Sequence, residues 1–128
     1  MESNESICPV LIIDDDNDLC TILGAVINDK CDVHVEHSLK NAEEYLSHFK
    51  PTLVLLDNNL PDGTGVKRIR DILGLYPDVK IVLMTADAST DLKEKAMCEG
   101  AFQFIKKPFR ASLINEIIST ICPRLRVA

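Results

Sequence analysis

The chain has 128 residues, of which 46% are hydrophobic, and its 20 acidic residues outnumber its 14 basic ones to give a net charge of −6. This length suits one domain with a buried core, and the hydrophobic content excludes a disordered chain. The acidic balance argues against a nucleic-acid surface, and the short apolar runs argue against a membrane span. Because the N-terminus is polar and lacks the apolar core of a secretory signal, we expect a cytoplasmic protein.

Two kinds of segment alternate along the chain. Five short segments are typical of strands: 9–13, 32–37, 53–57, 79–84 and 102–105. After each of them, apolar residues recur at helical spacing, over about 17–28, 38–49, 66–76, 89–99 and 111–121. Strict alternation with short links predicts an α/β fold, with one parallel sheet covered by helices on both faces through right-handed crossovers.

The ends of the chain suggest its domain limits. We expect an N-terminal tail over residues 1–8 and one domain over residues 9–122. Residues 123–128 are either the tail of a free-standing protein or a linker cut short before an effector domain. The sequence leaves both alternatives open.

The cysteines and histidines favour ordinary structural roles. Five cysteines with no C-x-x-C pair predict reduced thiols in the core or at the surface. His34 and His37 are an odd number of residues apart on a predicted strand, so they face opposite ways, and His48 is far along the chain. We therefore expect no metal site built from histidines.

Polar residues stand where the predicted strands end. Asp14 and Asp15 follow the first strand, and Asp57 ends the third. Thr85 follows the fourth strand, and Lys107 follows the fifth. The carboxyl ends of parallel strands meet at one edge of a sheet, so we expect these side chains to share a pocket. Crowded carboxylates repel, and Mg²⁺ bound by oxygen ligands would relieve that repulsion while leaving places for water and phosphate oxygens.

Such a pocket suits phosphoryl transfer to Asp57. The protein must align the attacking oxygen and offset charge on the phosphoryl oxygens, which Mg²⁺, Lys107 and the Thr85 hydroxyl can do. Taken singly, each motif is also an ordinary helix cap, loop or turn. Their joint occurrence in this order favours the functional interpretation.

With these residues the chain resembles the receiver domain of bacterial two-component response regulators over nearly its whole length. The motifs that carry the resemblance are Asp14-Asp15, Asp57 followed by Pro61-Asp62-Gly63, Thr85-Ala86 and Lys107-Pro108. The resemblance implies a flavodoxin-like fold with strand order 2-1-3-4-5 and five helices. It also implies that Asp57 accepts phosphate from a sensor histidine kinase or a histidine phosphotransfer domain.

The resemblance further implies a ligand set for Mg²⁺. Asp15 would bind the ion directly, and Asp14 would bind it chiefly through water. Asp57 would contribute one carboxylate oxygen, and Asn59 would contribute its backbone carbonyl. Lys107 would pair with Asp57 and then with the phosphoryl group, helped by a cis peptide bond before the proline that follows.

A switch is implied as well. Thr85 would move toward the phosphoryl oxygens, and Phe104 would move inward behind it. These shifts would remodel the surface of the fourth helix, fifth strand and fifth helix, where the family meets effectors or output domains and forms phosphorylation-dependent dimers. Position 104 is Phe where Tyr is common in the family, so its ring has no hydroxyl for a hydrogen bond. The side chains of Asn59 and Asp87 should tune the lifetime of the phosphoryl group.

Two other functions were considered. A metal-dependent phosphatase that forms an aspartyl phosphate generally carries a second acid two residues after the nucleophile, but that position is Asn59 here. We therefore expect no enzymatic turnover of phosphate esters. A constitutive interaction module would keep the fold without the chemistry, and the intact acids, Thr85 and Lys107 argue against it.

Overall fold

Five strands form one parallel sheet. A computed structural model describes residues 8–87 and 89–122. The sheet strands, numbered here in chain order, are β1 (Cys8–Ile13), β2 (Cys31–Glu36), β3 (Leu53–Asp57), β4 (Lys80–Thr85) and β5 (Gln103–Lys106). Neighbouring strands pair in the order β2-β1-β3-β4-β5, and every pair in this sheet is parallel. The predicted fold class and strand order are confirmed.

Five helices connect or follow the strands. They are α1 (Asn17–Ile27), α2 (Leu39–Leu46), α3 (Ile69–Leu75), α4 (Thr90–Glu99) and α5 (Ala111–Ile121). The side chains of Asp16, Ser38 and Ser89 accept hydrogen bonds from backbone amides in the first turns of α1, α2 and α4, which fixes where those helices begin. Gly100 ends α4 with φ of 112°, a conformation that favours glycine.

The core lies in two layers, one on each face of the sheet. On one face, Val54 and Leu56 pack in a cluster with residues of α2, α3 and α4. On the other face, Leu53 and Leu55 pack in a cluster with residues of α1 and α5. Successive side chains of a strand point to opposite faces, so the apolar run of β3 supplies both layers.

Two aromatic residues predicted to be buried are exposed. We expected Phe49 on the buried face of α2, but α2 ends at Leu46 and the Phe49 side chain is 57% exposed. The Phe49 amide still donates a hydrogen bond to the Tyr45 carbonyl at 3.0 Å, and the Phe49 ring stacks on Tyr45 at the surface instead of joining the core. Phe102 precedes β5, is 37% exposed, and lies with its ring centroid 5.7 Å from the ammonium nitrogen of Lys80.

The expectation that all five cysteines are reduced is wrong for Cys8 and Cys122, which form a disulfide with an S–S distance of 2.18 Å. Cys8 begins β1 and Cys122 follows α5, and the fold brings their Cα atoms to 6.4 Å across 114 residues of sequence. Cys20, Cys31 and Cys98 are free thiols.

The predicted tails fall mainly outside the described part of the chain. Residues 1–7 and 123–128 lie outside it, and Cys8 belongs to β1 instead of to a tail. Within the described ranges, no helix has both the length and the apolar character needed to cross a membrane.

Candidate functional site

Four of the predicted site residues converge where the strands of the sheet end. Asp57 is the last residue of β3 and Thr85 the last of β4, whereas Asp14 and Lys107 directly follow β1 and β5. The Lys107 ammonium nitrogen lies 2.7 Å from Asp14 Oδ2 and 3.0 Å from Asp57 Oδ1. Asp14 and Thr85 are fully buried, and Asp57 is 4% exposed. Parallel pairing therefore brings residues that are distant in sequence together where the strands end.

Three carboxylates form the acidic part of this pocket. Asp14, Asp15 and Asp57 each offer one oxygen, and these oxygens all lie within 4.8 Å of one another. Two contacts between side chains and the backbone hold the loop after β1. Asp14 Oδ1 accepts a hydrogen bond from the Asp16 amide at 3.0 Å, and His37 Nδ1 lies 2.9 Å from the Asp14 carbonyl oxygen. The donor set consists of hard oxygens, which suits Mg²⁺.

The pocket holds more negative than positive charge. Burial raises the pKa of the Asp57 carboxyl, the hydrogen bond from Lys107 opposes this rise, and the charges of Asp14 and Asp15 add to it. Burial would lower the pKa of Lys107, but the hydrogen bonds and charges of Asp14 and Asp57 outweigh it and raise that pKa. The two shifts have different main causes, which are burial for Asp57 and the neighbouring carboxylates for Lys107. The pocket is thus suited to bind a cation.

The loop after β3 is held by two residues that the sequence did not single out. Asn58 is buried, and its side-chain oxygen accepts a hydrogen bond from the Val66 amide at 2.9 Å. Its backbone carbonyl accepts another from the Gly65 amide at 2.9 Å. A Cβ atom on Gly65 would lie 2.4 Å from the Asp57 carbonyl oxygen, so only glycine fits there. We had treated Asn58 as ordinary loop composition, and a buried amide has no distinct sequence pattern.

Asp62 connects the same loop to the start of α2. Its two carboxylate oxygens accept hydrogen bonds from the backbone amides of Leu39 and Lys40, each at 2.9 Å. These bonds hold the pKa of the Asp62 carboxyl below its usual value. Asn59, the remaining predicted Mg²⁺ ligand, is exposed in the small hairpin formed by Asn59–Leu60 and Gly63–Thr64.

The two predicted switch residues, Thr85 and Phe104, lie on the neighbouring strands β4 and β5. The Thr85 hydroxyl accepts a hydrogen bond from the Asp87 amide at 3.0 Å. Phe104 is partly buried and packs against the core layer that contains α2, α3 and α4. The Lys107-Pro108 peptide bond is cis, as the resemblance implied. The roles of Thr85 and Phe104 in switching remain predictions.

The protein family of this chain follows from a comparison with known families. The family model described as the response regulator receiver domain matches residues 10–119, which covers most of the chain. The chain belongs to this family. The match includes every residue of the pocket, from Asp14 to Lys107, so the resemblance seen in the sequence is confirmed for this receiver domain.

Individual relatives agree with this assignment. The receiver domain is 32% identical over 111 residues to the response regulator protein PilR of Pseudomonas aeruginosa, covering 86% of this chain and 25% of PilR. It is 29% identical over 115 residues to the chemotaxis protein CheY of Thermotoga maritima, covering 88% of this chain and 95% of CheY. The chain thus spans about a quarter of the one relative and nearly all of the other.

A solved structure agrees as well. The solution structure of the beryllofluoride-activated NtrC4 receiver domain dimer superposes on this receiver domain with a TM-score of 0.85 at 27% sequence identity. The match covers 91% of this chain and 98% of that one.

Proposed function

We propose that this receiver domain is a phosphorylation-activated switch that accepts a phosphoryl group on Asp57 from a phosphohistidine of a histidine kinase or phosphotransfer protein. The observation that carries the proposal is the position of the Asp57 carboxylate, which lies 3.0 Å from the Lys107 ammonium inside a cluster of three acids. A receiver domain that served only as a constitutive binding module would have no need for these buried like charges, which oppose folding.

The transfer itself needs little covalent work from the protein. An Asp57 carboxylate oxygen forms a bond to phosphorus as the bond from phosphorus to the donor's histidine nitrogen breaks, and the nitrogen keeps the bonding electron pair. Lys107 orients the carboxylate beforehand and then offsets charge on the phosphoryl oxygens. The Thr85 hydroxyl can donate a hydrogen bond to one of those oxygens after it leaves the Asp87 amide.

The acid cluster fits the Mg²⁺ ion that the family implies, because three hard oxygen ligands stand within 4.8 Å of one another. Asp14, Asp15 and Asp57 would hold the ion together with the backbone carbonyl of Asn59. When bound, Mg²⁺ neutralises part of the charge that the phosphoryl group brings into the pocket.

Phosphorylation would then change the surface formed by α4, β5 and α5. A phosphoryl group adds a charge of about −1.5 to −2 next to Lys107 and can bias a two-state element by a few kcal/mol. Movement of Thr85 and Phe104 would carry that bias to the surface, where a downstream effector, an output domain or a second copy of the chain would bind. The activated NtrC4 receiver domain, which is described as a dimer, supports the last of these outcomes.

The remaining assignments follow from the same chemistry. We infer a switch without enzymatic turnover, because position 59 offers an amide in place of a second acid. We place the protein in the cytoplasm, where ATP-dependent kinases produce phosphohistidine donors.

The test uses acetyl phosphate as a small donor, in the presence of Mg²⁺. Intact-mass spectrometry should show one added phosphoryl group on the wild type and none on Asp57→Asn or on wild type treated with EDTA. Asp78→Asn is the matched control, because Asp78 is exposed and lies two residues before the first residue of β4, at the end of the sheet opposite to Asp57. It should gain the phosphoryl group as the wild type does.

Two results would refute the proposal. One is an equal mass gain in Asp57→Asn, which would place the acceptor elsewhere. The other is steady release of phosphate from p-nitrophenyl phosphate over many turnovers, which would make the protein a phosphatase.

A further inference from the structure

An open groove lies between β2 and α2, on the side of the domain that the phosphoacceptor pocket does not use. Its volume is about 600 Å³. Both elements line it, β2 through residues 32–36 and α2 with the turn after it through residues 41–49. β2 is an edge strand of the sheet, so the groove is open to a partner along that edge. We call it the β2–α2 groove.

Three aromatic rings stack along this groove. The rings of His34 and Tyr45 lie with centroids 3.9 Å apart and planes 10° from parallel. Tyr45 also stacks on Phe49, at 4.9 Å and 26°. The Phe49 side chain is 57% exposed although it is large and apolar. Exposed flat rings of this kind are the surface on which planar or cationic groups stack.

The same groove is rich in negative charge. Among the described residues, those that line it include the carboxylates of Asp32, Glu36 and Glu44 and neither lysine nor arginine. Burial raises the pKa of the Tyr45 hydroxyl, and the charges of Asp32 and Glu36 raise it further. These carboxylates would repel an anionic partner and attract a cationic one.

Preformed metal binding does not explain the groove. His34 Nε2 lies 2.6 Å from Glu36 Oε2, and His48 Nε2 lies 3.7 Å from Glu44 Oε2. Each of the two histidines is thus paired with one glutamate. Among the residues that the structure describes, only Asp14, Asp15 and Asp57 bring three potential metal ligands together. The groove therefore suits an organic cation better than a metal ion.

We propose that the β2–α2 groove binds an arginine side chain of a partner protein, with the guanidinium plane stacked on the exposed ring of Phe49 and its N–H groups facing Glu44. A guanidinium group is planar, permanently charged and weakly hydrated, so it combines stacking with hydrogen bonding to a carboxylate. The lysine ammonium is a compact and strongly hydrated charge that does not stack in this way. This site is independent of Asp57 and of phosphorylation.

The test is a ¹H–¹⁵N NMR titration at low salt, in the presence of Mg²⁺, with the peptide acetyl-Gly-Arg-Gly-amide. Signals of residues 32–36 and 41–49 should shift in a saturable way. Replacing arginine by citrulline, which keeps the shape and removes the charge, should weaken binding at least about tenfold, and lysine should bind more weakly than arginine. Phe49→Ala should weaken binding about three- to tenfold.

Phe102→Ala is the matched control, because Phe102 is an exposed ring that lies outside the groove. It should leave the affinity unchanged. Equal affinity for the arginine and citrulline peptides would overturn the proposal, as would lysine or spermidine binding as tightly as arginine. Shifts confined to the residues around Asp57, and lost in Asp57→Asn, would assign the cation to the other acidic site and overturn it equally.

Discussion

The two edges of the same sheet are built in opposite ways. Where the strands end, Asp14, Asp57 and Thr85 bury polar groups, and the carboxylates repel one another. Where the strands begin, Cys8 is buried and joined covalently to Cys122 at the end of the last helix. The repulsion among carboxylates at the first edge opposes folding, and the disulfide at the second edge stabilises the folded domain. Under oxidising conditions, the disulfide therefore offsets part of the free-energy cost of the charged pocket.

The largest expected effect concerns the disulfide. It closes a loop across 114 residues, and a constraint of that length on the unfolded chain stabilises a fold by about 5 kcal/mol. Cys122→Ser should lower the free energy of unfolding in urea by this amount under oxidising conditions, and dithiothreitol should have the same effect on the wild type. Disulfides are rare in the cytosol, so the reduced form is the one expected there.

The control for this prediction is Cys98→Ser, which changes an exposed free thiol and should leave the unfolding curve unchanged. Counting thiols in the unfolded, unreduced wild type should give three, from Cys20, Cys31 and Cys98. A count of five thiols, together with no effect of dithiothreitol on the unfolding curve, would show that Cys8 and Cys122 form no stabilising disulfide.

A smaller change in the free energy of unfolding, of opposite sign, is expected where the strands end and the carboxylates lie. The raised pKa of Asp57 means that its ionised form is less favourable in the folded protein, so its contribution to stability is present at low pH and is lost as pH rises through the folded-state pKa. Asp57→Asn removes that charge and should raise the free energy of unfolding at neutral pH by about 1–2 kcal/mol when EDTA is present.

Mg²⁺ should reduce this difference, because it binds the three wild-type carboxylates better than the two that remain in Asp57→Asn. Asp78→Asn serves again as the control and should match the wild type with and without Mg²⁺. If Asp57→Asn destabilises the protein in EDTA, the ion pair with Lys107 contributes more than the repulsion among the acids removes.

The smallest effect is expected at Asp62, which is exposed. Its lowered pKa means that its stabilising hydrogen bonds to the Leu39 and Lys40 amides are present above about pH 4 and are lost as pH falls through the folded-state pKa. Asp62→Ala should therefore lower the urea midpoint at neutral pH, and its curve should converge with that of the wild type in acid. Asp78→Ala should show no such convergence, and a constant gap for Asp62→Ala at every pH would contradict the prediction.

The fold and the pocket were predictable because both depend on local patterns. The apolar run before Asp57 marked a strand buried on both faces, and the rule that parallel strands end at one edge then placed Asp14 and Lys107 beside it. The disulfide was not predictable, because Cys8 and Cys122 meet only through the complete topology. Tyr45, His48 and Phe49 are spaced so that they lie on one side of a helix. The exposed position of Phe49 was nevertheless missed, because the apolar pattern predicted that residue in the core.

In the proposed switch, the hydrogen bond from the Asp87 amide to the Thr85 hydroxyl favours the position that this side chain has before phosphorylation. Movement of the hydroxyl toward Asp57 would break this hydrogen bond and leave the Asp87 amide to water. A net value of about 1 kcal/mol for such a bond keeps the spontaneously active population about fivefold lower than it would otherwise be.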